Sequence, residues 1–256
     1  DLIVSRGLGD VYKRQLRMVE ISKKYKLKNT VTFGFVNWIG LWTLYKKEVL
    51  RFLIVWIQTL LSPIISSLLF LLVLALAIGN ERADVLGYPF ITFLAPGLIA
   101  MQVIQQAFSH SSSSFMIGKI QGNIVDILYA PLSPGEVTTA VVLASATRSF
   151  MIAFISIIIF YFLVDIEIKN IYAVIFFTLI SSIILGCIGV IAGLWAEKFD
   201  HMATVTSFII IPLSFLSGTF YSIERLPQIL QTISKCNPFF YICLLYTSPS
   251  PRDTIR

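Results

Sequence analysis

Residues 52–80 read FLIVWIQTLLSPIISSLLFLLVLALAIGN, a stretch without one ionisable side chain. The hydrocarbon core of a bilayer is about 30 Å thick and takes about 20 apolar residues in a helix, so this run is long enough to cross with some tilt. Working outward from it, four more stretches satisfy the same test, at about 88–108, 137–164, 171–195 and 202–220. Runs of this length make the chain all-α, a polytopic membrane protein with five spans present.

Composition agrees with that reading. Of 256 residues, 56% are hydrophobic and only 13% charged, whereas a soluble domain carries about a quarter charged residues. With a mean hydropathy of +0.82, there is too little polar side chain to cover a water-facing globule, and lipid must solvate much of the surface. The same figures exclude a disordered chain. A net charge of +6 on so apolar a chain fits anionic lipid headgroups and leaves no basic domain for nucleic acid. The three cysteines, Cys187, Cys236 and Cys243, are too scattered for a disulfide framework or a zinc site.

Lysine and arginine next to the spans set the orientation. Lys23, Lys24, Lys26, Lys28, Lys46, Lys47 and Arg51 all precede the first span, which places the N-terminus in the cytoplasm. By alternation, 109–136 and 196–201 are cytoplasmic as well. Just ahead of the first span, Trp38, Leu41, Trp42, Tyr45, Val49 and Phe52 recur at steps of three and four, with Lys46, Lys47, Glu48 and Arg51 on the other face. Aromatic and basic residues in that pattern predict an amphipathic helix lying in the membrane interface.

Within the cytoplasmic stretch 109–136, Ile120, Ile124, Ile127 and Leu128 repeat at helical spacing ahead of Pro131, Pro134 and Gly135, which stop the helix. A short amphipathic helix is predicted there, able to rest on lipid or to dock into a partner's groove. The serine tract Ser109, Ser111 to Ser114 reads as a solvated exit from the second span, with His110 and His201 as interfacial polar residues. Pro63, Pro96 and Pro212 each remove a backbone hydrogen bond and are expected to bend their spans. In the fourth span, Thr178, Ser182, Gly186, Gly189 and Gly193 form a small-residue stripe that lets helices approach.

Charge deep in a bilayer is expensive and usually functional. Arg148, in the third span, is the one such residue, and three roles are open to it: pairing with a carboxylate, contact with an anionic substrate headgroup, or snorkelling to the cytoplasmic side. Buried Asp, Glu and His chains suited to ion-gradient coupling do not occur in the spans. Nor does the sequence hold a GxxxxGK[ST] phosphate loop, an HExxH or a GxSxG. No catalytic, cofactor or metal residues are assigned.

The strings SSSSFMIGKIQGNIVDILYAPLSPGE, GLWAEKFDHMATVTSFIIIPLSFLSGTFYSIERLP and KCNPFFY closely resemble the membrane permease subunit of bacterial type-2 ABC exporters, a class that includes drug and polysaccharide efflux permeases. The resemblance runs from about Asn37 to Tyr241. It implies a permease without its own ATP site, dimerising with a second copy in the inner membrane and driven by a separate ABC ATPase subunit that holds ATP and Mg. It implies an exported glycan, lipid or drug as substrate, and membrane lipids as the surrounding partner. By the same resemblance Ile120, Ile124, Ile127 and Leu128 form the coupling helix to the ATPase. Trp38, Trp42, Tyr45 and Arg51 belong to the interface helix, and Leu226, Ile229, Leu230 and Ile233 to re-entrant helices at the outer face. A non-transporting membrane anchor for such an ATPase is the alternative from another class.

The family pattern has six spans, and here the sequence changes character at about Cys243. LLYTSPSPRDTIR, and SRGLGDVYKRQ near the start, resemble translated sequencing adapter. The expected organisation is therefore an artefactual leader at 1–15, a cytoplasmic segment with the interface helix at 16–51, a permease domain at 52–242 and an artefactual tail at 243–256.

Overall fold

A computed structural model describes residues 36–78, 90–164 and 171–217, with 227, 228, 231, 232 and 234. Val36 is all that is described of the N-terminal unit, and the other described residues belong to the unit that begins at Asn37. The expected leader and tail, the start of the second span, the end of the fifth, and Leu226, Ile229, Leu230 and Ile233 of the outer-face helices lie outside the described residues.

The described elements are all helical. Helix α1 (Trp38–Ile54) is followed by a π-helical turn, Ile57–Leu61, and α2 (Ser62–Ile78). Next come α3 (Phe90–Gln121), the short α4 (Ile124–Tyr129), α5 (Pro134–Leu163) and α6 (Ile171–Trp195). Helix α7 (Phe199–Val205), a second π-helical turn at Thr206–Ile210 and α8 (Ile211–Phe215) complete the series. Among the described residues, three helices are long and apolar enough to cross a bilayer: Ile57–Leu76, Pro134–Leu163 and Val174–Trp195. These answer to the expected first, third and fourth spans. The expected fifth is described as a shorter apolar helix, Phe199–Phe215. The expected second enters α3, where Gln102, Gln105, Gln106 and the serine tract dilute the apolar run.

Helix α3 is the centre of the packing, with α5 and α6 against it and α1 laid across α5. At 32 residues it is about 48 Å long, which exceeds the hydrocarbon core, so one end stands clear of it. The serine tract does not interrupt it. Ser111, Ser112 and Ser113 return their hydroxyls to carbonyls three or four residues back, which satisfies them inside the helix. The expectation of a solvated exit is thus corrected for Ser111 and Ser112, which are fully buried, whereas Ser109 is exposed and Ser113 and Ser114 are half-buried. Their small size admits α6. A Cβ added at Gly189 would meet the Phe108 carbonyl oxygen at 2.6 Å, and one at Gly193 the Ser112 carbonyl oxygen at 2.7 Å. The small-residue stripe is therefore a contact within one chain.

Proline acts differently at its three sites. Ser62 N–H bonds back five residues to Ile57, just before Pro63, and Ile211 N–H bonds to Thr206, just before Pro212. Each of these two prolines follows a π-helical turn, a recurrent companion of helix breaks. Pro96 sits inside a continuous α3.

Two boundaries differ from the sequence reading. Ile120 belongs to the last turn of α3 and not to the short helix, because Gly122, at φ 75°, turns the chain between them. Pro134 and Gly135 do not stop a helix but open α5. Ser133 is its N-cap, and a capping box with Glu136 fixes the start.

Candidate functional site

Arg148 of α5 meets α3 and the π-helical turn ahead of α2. Its Nη2 donates to the Thr59 carbonyl at 3.1 Å and to Gln106 Oε1 at 2.6 Å. Its Nη1 lies 3.5 Å from His110 Nδ1. Of the three roles left open by the sequence, the geometry supplies a different one: the partners are a carbonyl, a carboxamide and an imidazole. Gln102 extends the cluster, donating to the Pro63 carbonyl at 2.5 Å and accepting from Ser156 at 3.4 Å. Polar side chains of α3 and α5 thus serve the broken start of the first span.

One side of this cluster is closed by α1. Glu48, only 3% exposed, lies 3.0 Å from Arg51 Nη2 and accepts from the Ser114 hydroxyl at 2.8 Å. Arg51 also donates to the His110 carbonyl at 3.5 Å. Burial lowers the pKa of the Arg51 guanidinium, and the Glu48 carboxylate opposes that shift. The expected polar face of α1 is corrected here. Glu48 and Arg51 turn inward beside Leu44 and Phe52, because each neutralises the other, whereas Trp38, at 72% exposed, and Trp42 point outward with Lys46 and Lys47. Tyr45 is half-buried and shares a 2.9 Å hydrogen bond with Thr147. His110 is likewise no interfacial residue: it is 1% exposed and meets the Phe52 ring edge-on at 5.6 Å.

A second junction ties the start of α1 to the start of α5. Glu136 accepts from the Asn37 backbone N–H at 2.6 Å and from that of Ser133 at 2.7 Å. The Asn37 side chain donates to the Pro131 carbonyl at 3.1 Å and accepts from Gly40 N–H at 2.9 Å, capping α1.

Between these junctions α4 presents an apolar surface. Leu128 is 77% and Tyr129 87% exposed, with Val125 and Ile120 also outward, while Ile124 and Ile127 are half-buried. The four isoleucine and leucine positions singled out by spacing therefore divide between an inward anchor and an outward face. Nearby, a cavity of about 340 Å³ opens between α3 and α7, lined by Ser109, Ser112, Ser113, Met116, Met202 and Thr206 among others.

Sequence spacing found α4, α1 and Arg148 but missed Glu48, Gln106, His110 and Lys119. A signal existed for Glu48: it lies four residues after Leu44 and four before Phe52, on the buried stripe of α1. No group of three His, Cys, Asp or Glu is placed to hold a metal among the described residues. The arrangement ties helices together and offers a docking face.

Residues 40–247 match the family model for the ABC-2 type transporter. The chain is similar to the inner membrane transport permease YadH of Escherichia coli K12, 31% identical over 205 residues that cover 80% of this chain and 80% of that protein. It is also similar to nodulation protein J of Rhizobium leguminosarum bv. trifolii, 24% identical over 80% of this chain and 78% of the relative. Nodulation protein J of Neorhizobium galegae is 21% identical over the same shares. No solved structure matches.

Proposed function

The chain belongs to the ABC-2 type transporter family, as a membrane permease subunit, and from that premise we propose that it is the gate of an ATP-driven exporter whose motor docks on α4. The family implies an ATPase partner, and ATP and Mg bind on that subunit. Two permease copies enclose the translocation path, each with six spans, five of them legible in this sequence. The chain sits in the bacterial inner membrane with its N-terminus in the cytoplasm; the name of the Escherichia coli relative supports the membrane, and the basic segment before Phe52 supports the orientation. Export of a glycan, lipid or drug is the direction of transport.

The single observation that carries this reading is the exposed apolar face of α4. Leu128 and Tyr129 stand out on a six-residue helix at the end of the longest helix, on the side that the charge distribution assigns to the cytoplasm. Exposed apolar clusters mark protein–protein or membrane contacts, and the ATPase that the family implies favours a protein here. Ile124 and Ile127 anchor the helix from beneath, and α1, carrying Trp38, Trp42, Tyr45 and Arg51, flanks it as the interface helix. Arg148 serves as a structural tie of the gate. The anchor alternative loses ground because the Escherichia coli relative is named for transport.

Leu128→Asp tests the docking. The complex with its ATPase should fall apart on purification, with permease folding unchanged, because an exposed residue is altered. An intact complex with unchanged ATP turnover would show that the motor docks elsewhere.

A further inference from the structure

We propose that Lys119 is the positioning residue that carries movement of α4 into α6 and α7. The inference rests on the coupling reading of α4 and goes beyond it by naming the route. Lys119 lies in the last turn of α3, one turn before Gly122 redirects the chain into α4. Its ammonium donates to the carbonyls of Gly193 at 3.0 Å, Leu194 at 2.5 Å and Ala196 at 3.0 Å. An ammonium has three donors, and here each has an acceptor.

The acceptors are the ones a helix end leaves unused. Ala196 N–H takes the Ala192 carbonyl, and the carbonyls after it have no helical partner. The negative end of the helix dipole also favours a cation there. Lys119 thus closes the C-terminus of α6 from a different helix. Ala196 is fully buried and leads within three residues to α7, so the same three bonds set the turn from which α7 departs. Gly193 also approaches the Ser112 backbone closely, so α3 and α6 meet directly beside this tie. A displacement of α4 that moves the last turn of α3 therefore acts on the end of α6 and the start of α7 through Lys119, beside the direct packing of α3 on α6. Bound nucleotide shifts an equilibrium only through contacts that differ between states, and this tie is where α4 transmits that difference.

The test uses the complex of permease and ATPase in lipid vesicles, with ATP and vanadate as the nucleotide probe. Cys236 and Cys243 are replaced by Ser, and a spin label is placed on the exposed Cys187 of α6; a second sample carries V125C on α4 with Cys187 also replaced. In the parent complex both labels should respond to nucleotide. With K119M the label at position 125 should still respond, the response at Cys187 should fall at least about fivefold, and K119R, which keeps the cation, should restore it. A merely stabilising role would lower the melting temperature and leave the ratio of the two responses unchanged, which overturns the proposal. Should K119M fail to assemble, K119Q is read in its place. An undiminished Cys187 response overturns the role of Lys119 while leaving α4 as the coupling helix. A silent label at position 125 in the parent complex overturns the coupling reading, and this proposal with it.

Discussion

Arg148 Nη2 donates to the Thr59 carbonyl across 3.1 Å, and Pro63, four residues on from Thr59, has no N–H to give that carbonyl. In an α-helix the N–H of residue 63 would serve the carbonyl of residue 59, but proline has none. The cation from α5 takes its place beside the π-helical turn that opens the first span.

This substitution of one donor for another is testable as a cycle. Pro63→Ala supplies the missing N–H, so Arg148→Met should be less damaging in that background by about 1–2 kcal/mol, the worth of one rescued buried acceptor. Melting in detergent of the two single variants and the double variant measures it. Strict additivity would mean that Arg148 and Pro63 act independently.

Glu48 and Arg51 should behave as a unit. Glu48→Ala strands the Arg51 guanidinium against the His110 carbonyl and removes the acceptor of Ser114. We expect a loss of about 2 kcal/mol, reduced from that of a fully buried pair because Arg51 retains some solvent contact. Removing both charges should cost less than removing Glu48 alone. Denaturation midpoints of the three variants compare them.

Glycines on one stripe should differ in tolerance. An added methyl at Gly186 meets the Ser145 hydroxyl at 2.7 Å, an atom at the end of a side chain, whereas at Gly189 the 2.6 Å neighbour is the Phe108 backbone carbonyl. Gly189→Ala should therefore destabilise by about 1–3 kcal/mol, and Gly186→Ala by less. Equal melting temperatures would show that a side-chain hydroxyl yields no more readily here than a backbone carbonyl.

Glu136 should hold the entry of α1. Glu136→Ala removes the acceptor for two backbone N–H groups, those of Asn37 and Ser133, and limited proteolysis should then cut sooner near residue 37. Glu136→Gln, which keeps an acceptor, should be milder. Identical cleavage rates in all three proteins would remove the junction from the account.

Much of the fold is legible along the chain. The span expected at 171–195 coincides with α6, because a long uncharged apolar run leaves a helix in lipid few competing choices. Spacing also locates α1 and α4, and it marks Arg148. What spacing cannot show is which polar residue finds a partner. Ser111 and Ser112 read as solvated until their hydroxyls are seen folded onto their own helix, and Glu48 reads as surface charge until Arg51 and Ser114 are set beside it. Pro134 and Gly135 read as a stop because the reciprocal bonds of Ser133 and Glu136 form only once α5 begins.

That this protein lives in lipid, that it is helical and where its apolar helices run can all be read along the chain, since these follow from hydropathy and period, which are local. It took the packed helices to show that Arg148 serves the Thr59 carbonyl, that Lys119 closes the end of α6 and that Glu48 faces inward. Those outcomes depend on donors and acceptors separated by dozens of residues, and a buried polar group accepts whichever partner the packing of helices delivers.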